Sequence, residues 1–306
     1  MRKQVVITLI LLAISAATVA AQSPPTLTIV TETPGLPSEL WYGAPPNGVK
    51  VKPVRLRPGT NTPITIDDLD FFVQQHYFDF LVRFPDSSGF TSWMNYLNFC
   101  NTQPNPATCL YGQNGRRTIA SGGFFGSQEF NQRGGFIFRL HRSTFGQTFA
   151  ALPRYVNVIA AMPQLAGATP QEVDQKKVIF SQSWVVRGDF LAIYPRSLTP
   201  TQFVDAVSAT AGVTLGNRNQ IISDLTAAGN TDNARATAMR AMVDSGELVN
   251  KELNAAFVFM QYVGYLRRDP EQQGYNNWLN YLNSHPGDFN TMVWGFVDSA
   301  EFRNRF

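Results

Sequence analysis

The spacing of apolar positions changes once along the chain. Up to about residue 66, Pro, Thr and Gly are frequent, and apolar residues alternate with polar ones over Thr26–Thr31 and Val49–Leu56. In the second stretch Val49, Val51, Val54 and Leu56 interleave with Lys50, Lys52 and Arg55, a period suited to strands. From Asp67 the period becomes helical. Phe72, Val73, His76, Tyr77, Phe80 and Leu81 form a stripe behind the N-cap candidates Thr65, Asp67 and Asp68. Similar stripes continue to the C-terminus, separated by Gly, Pro and Asn breaks. The pattern predicts a mainly α fold: a helical domain over 67–306 behind a Pro/Thr-rich linker with short strands over 22–66.

An internal repeat organises the helical part. At an offset of 185 residues, Phe72–Asn98 falls on Phe257–Asn283 with 12 of 27 pairs identical. Average composition would give roughly one or two. The run Asn95-Tyr96-Leu97-Asn98 returns intact as Asn280-Tyr281-Leu282-Asn283. At an offset of 172, Gly123-Phe124, Ser127, Glu129-Phe130 and Arg133 return as Gly295-Phe296, Ser299, Glu301-Phe302 and Arg305. The second offset is shorter by 13 residues, so the first copy carries an insertion between its two blocks. The fold expected is a helical bundle with two related units, at about 70–133 and 255–306. The segment from Thr199 to Leu248 is a candidate for a third, degenerate unit.

Within one unit, a first helix carries Phe72, Val73, Tyr77 and Leu81 on one face. Pro85 and Gly89 interrupt it, and a second helix carries Phe90, Trp93, Met94 and Leu97. In the second copy Asp269-Pro270 reads as an N-cap followed by proline at the first helical position. A last helix brings Phe124, Phe125 and Phe130, matched by Phe296, Val297 and Phe302. Trp93 and Trp278 therefore read as core, although exposed aromatics with Asn95, Asn98, Asn280 and Asn283 would suit a sugar ring. Arg83 with Glu129, and Arg268 with Glu301, are opposite charges kept in both copies. They predict a clamp between the last and first helices, with a polar binding site as the alternative. Persistence in both copies favours the clamp, because duplicated catalytic groups usually survive in one copy only.

Composition and the N-terminus set the address. Arg2 and Lys3 precede an apolar run from Val5 to Ala13, and Val19-Ala20-Ala21 supplies small residues for cleavage. This is a signal-peptide pattern over residues 1–21, and it predicts export with no membrane insertion afterwards. Losing Arg2 and Lys3 leaves 23 basic against 22 acidic residues, a net charge of +1 rather than +3. With no dense basic stripe, nucleic-acid binding has no electrostatic basis. Cys100 and Cys109, the two cysteines of the chain, flank eight residues inside the insertion. In an oxidising compartment they predict a disulfide stapling that loop.

Candidate chemistry is sparse. His76, His141 and His285 belong to no metal-ligand spacing, and His76 aligns with Gln261 in the second copy. The chain holds no GxSxG elbow, phosphate loop or dinucleotide fingerprint. Asp67, Asp68 and Asp70 cluster in a way that suits either calcium or a solvated helix N-terminus. No catalytic residue, cofactor or metal is expected.

The segments Phe71-Phe-Val-Gln-Gln-His-Tyr77, Asp79-Phe-Leu81, Arg83, Pro85-Asp86, Gly89-Phe90 and Trp93 resemble a bacterial domain of unknown function, the family numbered 4214. So do Phe124-Phe125, Ser127, Glu129-Phe130, Thr199-Pro-Thr-Gln-Phe-Val-Asp205, Arg267-Arg-Asp-Pro270, Gly274-Tyr275 and Trp278, so that the likeness spans roughly Ile66 to Phe306. Phe84 departs from the family pattern, in which an acidic or small polar residue is usual. The resemblance implies a helical domain similar to phycobilisome linker domains, found in secreted and cell-surface proteins, with no assigned catalytic residues. The function expected is a secreted, periplasmic or cell-surface scaffold or adhesion module that is not an enzyme, with a protein or surface polysaccharide as partner. A carbohydrate-binding module is the alternative, and a secreted hydrolase built from scattered Asp, Glu and His comes third.

Overall fold

Short stretches of the Pro- and Thr-rich region pair as strands. A computed structural model describes residues 27–30, 39–42, 49–50 and 55–306, with side chains from residue 56 onward. The expected signal peptide lies outside the described residues. Strands β1 (Leu27–Val30), β2 (Glu39–Tyr42) and β3 (Val49–Lys50) form an antiparallel sheet in that order, with Leu27 opposite Tyr42 and Trp41 opposite Lys50. This sheet is one unit of the chain. The other unit begins with the short hairpin of β4 (Arg55–Leu56) and β5 (Pro63–Ile64) and is otherwise helical.

In chain order its helices are α1 (Leu69–His76), α2 (Ser87–Asn98), α3 (Pro106–Leu110), α4 (Arg116–Gly126), α5 (Gln128–Phe130), α6 (Phe136–Phe145), α7 (Tyr155–Ala161) and α8 (Pro170–Val185). They continue as α9 (Gly188–Ile193), α10 (Pro200–Ala211), α11 (Arg218–Ala227), α12 (Asp232–Val243), α13 (Gly246–Gln261), α14 (Gln272–Ser284), α15 (Phe289–Val297) and α16 (Ala300–Arg303). No helix among the described residues is long and apolar enough to cross a membrane. One continuous aromatic and aliphatic core runs through the helical unit.

The repeat extends to the backbone. In each copy the first helix ends in a π-turn, Tyr77–Leu81 or Tyr262–Leu266. Each turn is closed by a non-glycine residue in the left-handed region, Val82 at φ 52° or Arg267 at φ 55°. Such a conformation costs about 1–2 kcal/mol. Matching contacts offset it. Arg133 Nη1 donates to Leu81 O at 3.2 Å, and Arg305 Nη1 donates to Tyr265 O at 2.6 Å, so an arginine from the end of each unit caps the carbonyls of its own turn. Trp93 and Trp278 lie half-buried on the core, Trp93 stacked on Phe124 at 5.4 Å and Trp278 tilted on Phe296 at 6.0 Å. A Cβ at Gly123 would lie 2.6 Å from the Trp93 ring, and one at Gly295 would lie 3.3 Å from Trp278, so both glycines are there for close approach.

A helix break recurs four times rather than twice. After α4, α8, α12 and α15 the chain turns at Ser127, Arg187, Ser245 and Ser299, with φ between −65° and −63° and ψ between 142° and 146°. The three serines accept from the backbone N–H three residues on, as N-caps do. Each break is followed by an acidic residue and then a buried apolar one: Phe130, Phe190, Leu248 or Phe302. The pre-break helices pack in pairs, α4 against α15 and α8 against α12. The π-turns of the two recognisable copies also touch. Contact between equivalent elements is the mark of approximate twofold symmetry, and it makes the seam between the first and last units a symmetric junction.

The start of α14 departs from the expectation. Its N-cap is Glu271, one residue after Pro270, whereas Asp269 faces away to accept from Tyr155 N at 2.6 Å and to pair with Arg154. In the first copy Asp86 is the N-cap and accepts from Gly89 N at 2.8 Å. Phe84 stands where the second copy has Asp269, and it is 72% exposed with its ring edge-on to Phe78.

Candidate functional site

The disulfide Cys100–Cys109 closes the inserted loop between α2 and α3. A loop this short contributes about 2–3 kcal/mol by restricting the unfolded chain. Cys100 is fully buried, which ties the insertion to the core.

The repeated charges meet in both copies. Arg83 Nε and Nη2 donate to the two oxygens of Glu129 at 2.8 and 2.9 Å, and Nη1 reaches Asp86 at 3.3 Å. Arg268 does the same with Glu301 at 2.6 and 3.0 Å, and with Glu271 at 2.5 Å. Each guanidinium also lies over a tyrosine, Tyr77 at 4.9 Å or Tyr262 at 5.2 Å. The hydrogen-bonded glutamates raise the pKa of both arginines. The second carboxylate, Asp86 or Glu271, also repeats as an acidic position. These fork pairs are half-exposed, so each is worth about 0.5–1 kcal/mol. A double-mutant cycle with Arg83→Met and Glu129→Gln, read by urea unfolding, is expected to give a coupling of that size, and Arg268 with Glu301 a similar one. Coupling indistinguishable from zero in both units would assign these residues a role other than holding helices together.

One arrangement in the core has the outline of catalytic chemistry. His76 Nδ1 lies 2.8 Å from Phe72 O, which can only accept, so Nδ1 carries the proton. Burial holds the imidazole pKa down at about 3, which leaves Nε2 an acceptor for the Ser121 hydroxyl at 2.6 Å. The Tyr265 hydroxyl in turn donates to Ser121 Oγ. A serine donating to a histidine is the geometry of an activated nucleophile. Here His76, Ser121 and Tyr265 are all completely buried, so the chain of hydrogen bonds acts as a strut across the seam. The symmetry-related positions are Gln261, Val293 and Phe80, and the strut occurs once. The other two histidines lie elsewhere: His141 Nδ1 donates to Ala151 O at 3.1 Å, and the exposed His285 stacks on Tyr281.

The acidic cluster is engaged by arginines. Arg57 donates to Asp68 at 2.7 Å and to Asp70 at 2.9 and 3.0 Å, and it depresses the pKa of Asp70. Asp67 takes Arg303 at 2.5 Å. No group of three or more metal-ligating side chains occurs among the described residues.

Two features of the molecule escape the two-copy alignment. The first is a buried cation ten residues before each of the first three breaks: Arg117, Lys177 and Arg235, exposed by 1%, 5% and 1%. Arg117 Nη2 donates to Ile66 O at 2.8 Å, Lys177 reaches Asp244 at 2.7 Å, and Arg235 caps the carbonyls of the loop before α10. Counting back from each serine or arginine before an x-acid-apolar triplet would have found them. The fourth equivalent is Phe289. The second feature is a cleft of about 350 Å³ at the seam, lined on one side by α4 with Phe130 and Gly135, and on the other by α13 with residues 287–290. Arg139 and Glu252 belong to its lining.

Residues 235–306 match the model of the Domain of unknown function (DUF4214) family. This segment is similar to DUF4214 domains. It begins at the buried Arg235 and takes in the rest of α12, the break at Ser245, and the whole of the second copy through α16. The match covers the C-terminal part of the Ile66–Phe306 stretch that carries the motifs. The first copy repeats the DUF4214 segment's π-turn, tryptophan, arginine–glutamate fork and serine N-cap at their own positions. No curated protein and no solved structure matches the chain.

Proposed function

We propose that the chain is a non-enzymatic scaffold or adhesion module that works in a secreted, periplasmic or cell-surface setting. The observation that carries this reading is the use made of the repeated polar groups. Arg83, Glu129, Arg268 and Glu301 bind one another, and Arg133 and Arg305 cap turns, so what the duplication preserves is framework. A rigid framework with variable surface is what a binding module requires. The disulfide supports an oxidising compartment. A carbohydrate platform built on Trp93 and Trp278 is the weaker alternative, because each ring lies against a core phenylalanine and a glycine and has one face engaged.

The test uses residues 22–306, immobilised and exposed to surface-protein extract of the producing cells, with a glycan array run in parallel. The expected result is a protein partner that, once purified, binds saturably. Strong glycan binding without a protein partner would overturn the proposal in favour of the carbohydrate reading, and turnover of an arrayed glycan or peptide would overturn it in favour of an enzyme.

A further inference from the structure

The two sides of the symmetric seam are closed differently. On one side Phe71 from α1 packs edge-on against the C-terminal Phe306 at 5.5 Å, and Phe306 also meets Phe302 at 5.4 Å. Trp294 on α15 is 39% exposed and donates its indole N–H to Asp298 at 2.7 Å. Applying the repeat offsets, the counterparts of Phe71, Trp294 and Phe306 on the other side are Ala256, Gly122 and Gly134. Three aromatic side chains are thus replaced by a methyl group and two hydrogens. The cleft lies at two of these positions, Ala256 and Gly122, which line it, whereas the space at Gly134 is taken by Met260, whose terminal methyl would lie 2.6 Å from an added Cβ.

The remaining lining suits a ring. Phe257 lies between Phe125 at 5.4 Å and Phe289 at 4.6 Å, and the exposed Ile119 and Leu253 extend the apolar surface at the rim. Glu252 adds a polar requirement. It is 1% exposed, and its Oε2 accepts from Arg142 Nε at 3.2 Å, while Oε1 has no partner among the described residues. A buried carboxylate oxygen left without a donor is costly, and it favours a ring that brings an N–H or O–H over a bare hydrocarbon.

We infer that this cleft receives a tryptophan or tyrosine side chain projecting from a partner polypeptide, in place of the aromatic plug that the other side carries within its own chain. The inference rests on the scaffold reading above and names its partner's chemistry. Aromatic anchors seated in a pocket with an apolar rim are the usual centre of protein interfaces. The apolar rim beside the cleft calls for more than a free ring, which is why the occupant is a residue on a chain and not a small molecule.

The test is fluorine NMR with the full helical protein and the peptide Gly-Gly-Trp-Gly-Gly carrying 5-fluorotryptophan, against 5-fluoroindole and a leucine peptide read by competition. The expected result is saturable binding with Kd on the order of 0.1–1 mM for so small a probe, with the leucine peptide at least tenfold weaker. Ala256→Phe restores the counterpart's plug and is expected to weaken binding at least tenfold while leaving the circular dichroism spectrum and melting temperature intact. Gly122→Trp, where an added Cβ meets only Asn290 at 3.7 Å, serves as a second plug should the first fail to fold. Undiminished binding in a folded plug variant, or no saturable binding at all, overturns the inference. So does 5-fluoroindole binding more tightly than the peptide, or dimerisation of the wild type that the plug abolishes. A surface partner captured equally by wild type and Ala256→Phe would leave the scaffold reading standing and remove this one.

Discussion

Replacing Arg235 by methionine is expected to destabilise the helical unit by about 3–4 kcal/mol. The guanidinium is 1% exposed and donates to Leu198 O at 2.7 Å, Asn230 Oδ1 at 2.9 Å, Pro195 O at 3.0 Å and Arg196 O at 3.2 Å, while lying 4.8 Å over the Phe203 ring. Among the described residues no carboxylate makes a direct ion pair with it, so its charge is balanced mainly by carbonyl dipoles. Burial lowers its pKa from the ordinary value, but an arginine stays protonated. Removing it leaves several acceptors that one turn of loop cannot re-pair at once. The loop residues 195–197 are exposed, and water reaching some of those carbonyls keeps the loss below the full desolvation cost. Lysine at 235 retains the charge without the fork and is expected to fall between the two. Urea unfolding at pH 7 measures the effect, and thermal melting should show a fall of about 6–16 °C at 2–4 °C per kcal/mol. Arg117→Met should follow in the same direction but less far, since among the described residues Arg117 donates to Ile66 O and, at 3.4 Å, Asp67 O, with the Asp67 carboxylate at 4.0 Å. A loss under 1 kcal/mol at Arg235 would mean that the buried cation is not what orders the loop before α10.

The position of Arg235 shows where reading the chain alone reached its limit. The mainly α fold, the two copies and the disulfide were legible, because each depends on local signals: apolar period, proline and glycine breaks, and paired cysteines in an inserted loop. The offset of 185 residues places Val82 on Arg267, but nothing in either side chain announces a left-handed residue. That conformation is imposed by a π-turn whose carbonyls are capped by arginines some 40 to 50 residues away in sequence. The fourfold break was harder to see. Arg187 stands in place of the capping serine, so the break at Arg187-Gly-Asp-Phe190 is related to the other three by its backbone angles and by the acidic and apolar residues that follow. Asp269-Pro270 misled for a related reason. Its local pattern is that of an N-cap, yet the carboxylate is drawn off by Arg154 and the Tyr155 amide in the loop before α7. The cleft was invisible because it exists through what Gly122 and Ala256 lack, and a missing ring is noticed only once the symmetric partner shows it present.

The histidine strut makes the stability of the fold depend on pH in an unusual direction. His76 has a folded-state pKa held down at about 3 by complete burial, against about 6.5 in an unfolded chain. Between those values the unfolded state binds one proton more than the native state. Stability therefore rises with pH in that window, is complete above about 6.5, and declines as the pH falls towards 3. Moving from pH 6.5 to 5 is expected to cost about 1.6 kcal/mol through His76 alone, the slope approaching roughly 1.4 kcal/mol per pH unit at the lower end. His141, lowered to about 4 by its own burial, adds a smaller contribution of the same sign. Protonation would also break the strut itself, because an imidazolium Nε2 can no longer accept from Ser121, and Tyr265 would lose the order of donors that spans the seam. His76→Gln copies the residue found at the symmetric position and removes the titrating group. Urea unfolding between pH 4.5 and 7 should then show a shallower pH dependence in the variant, with the slope reduced by close to one proton, even if its stability at pH 7 is lower than that of the wild type. The same slope in both proteins would show that His76 is already protonated in the native state, and with it the assignment of Ser121 as donor would fail.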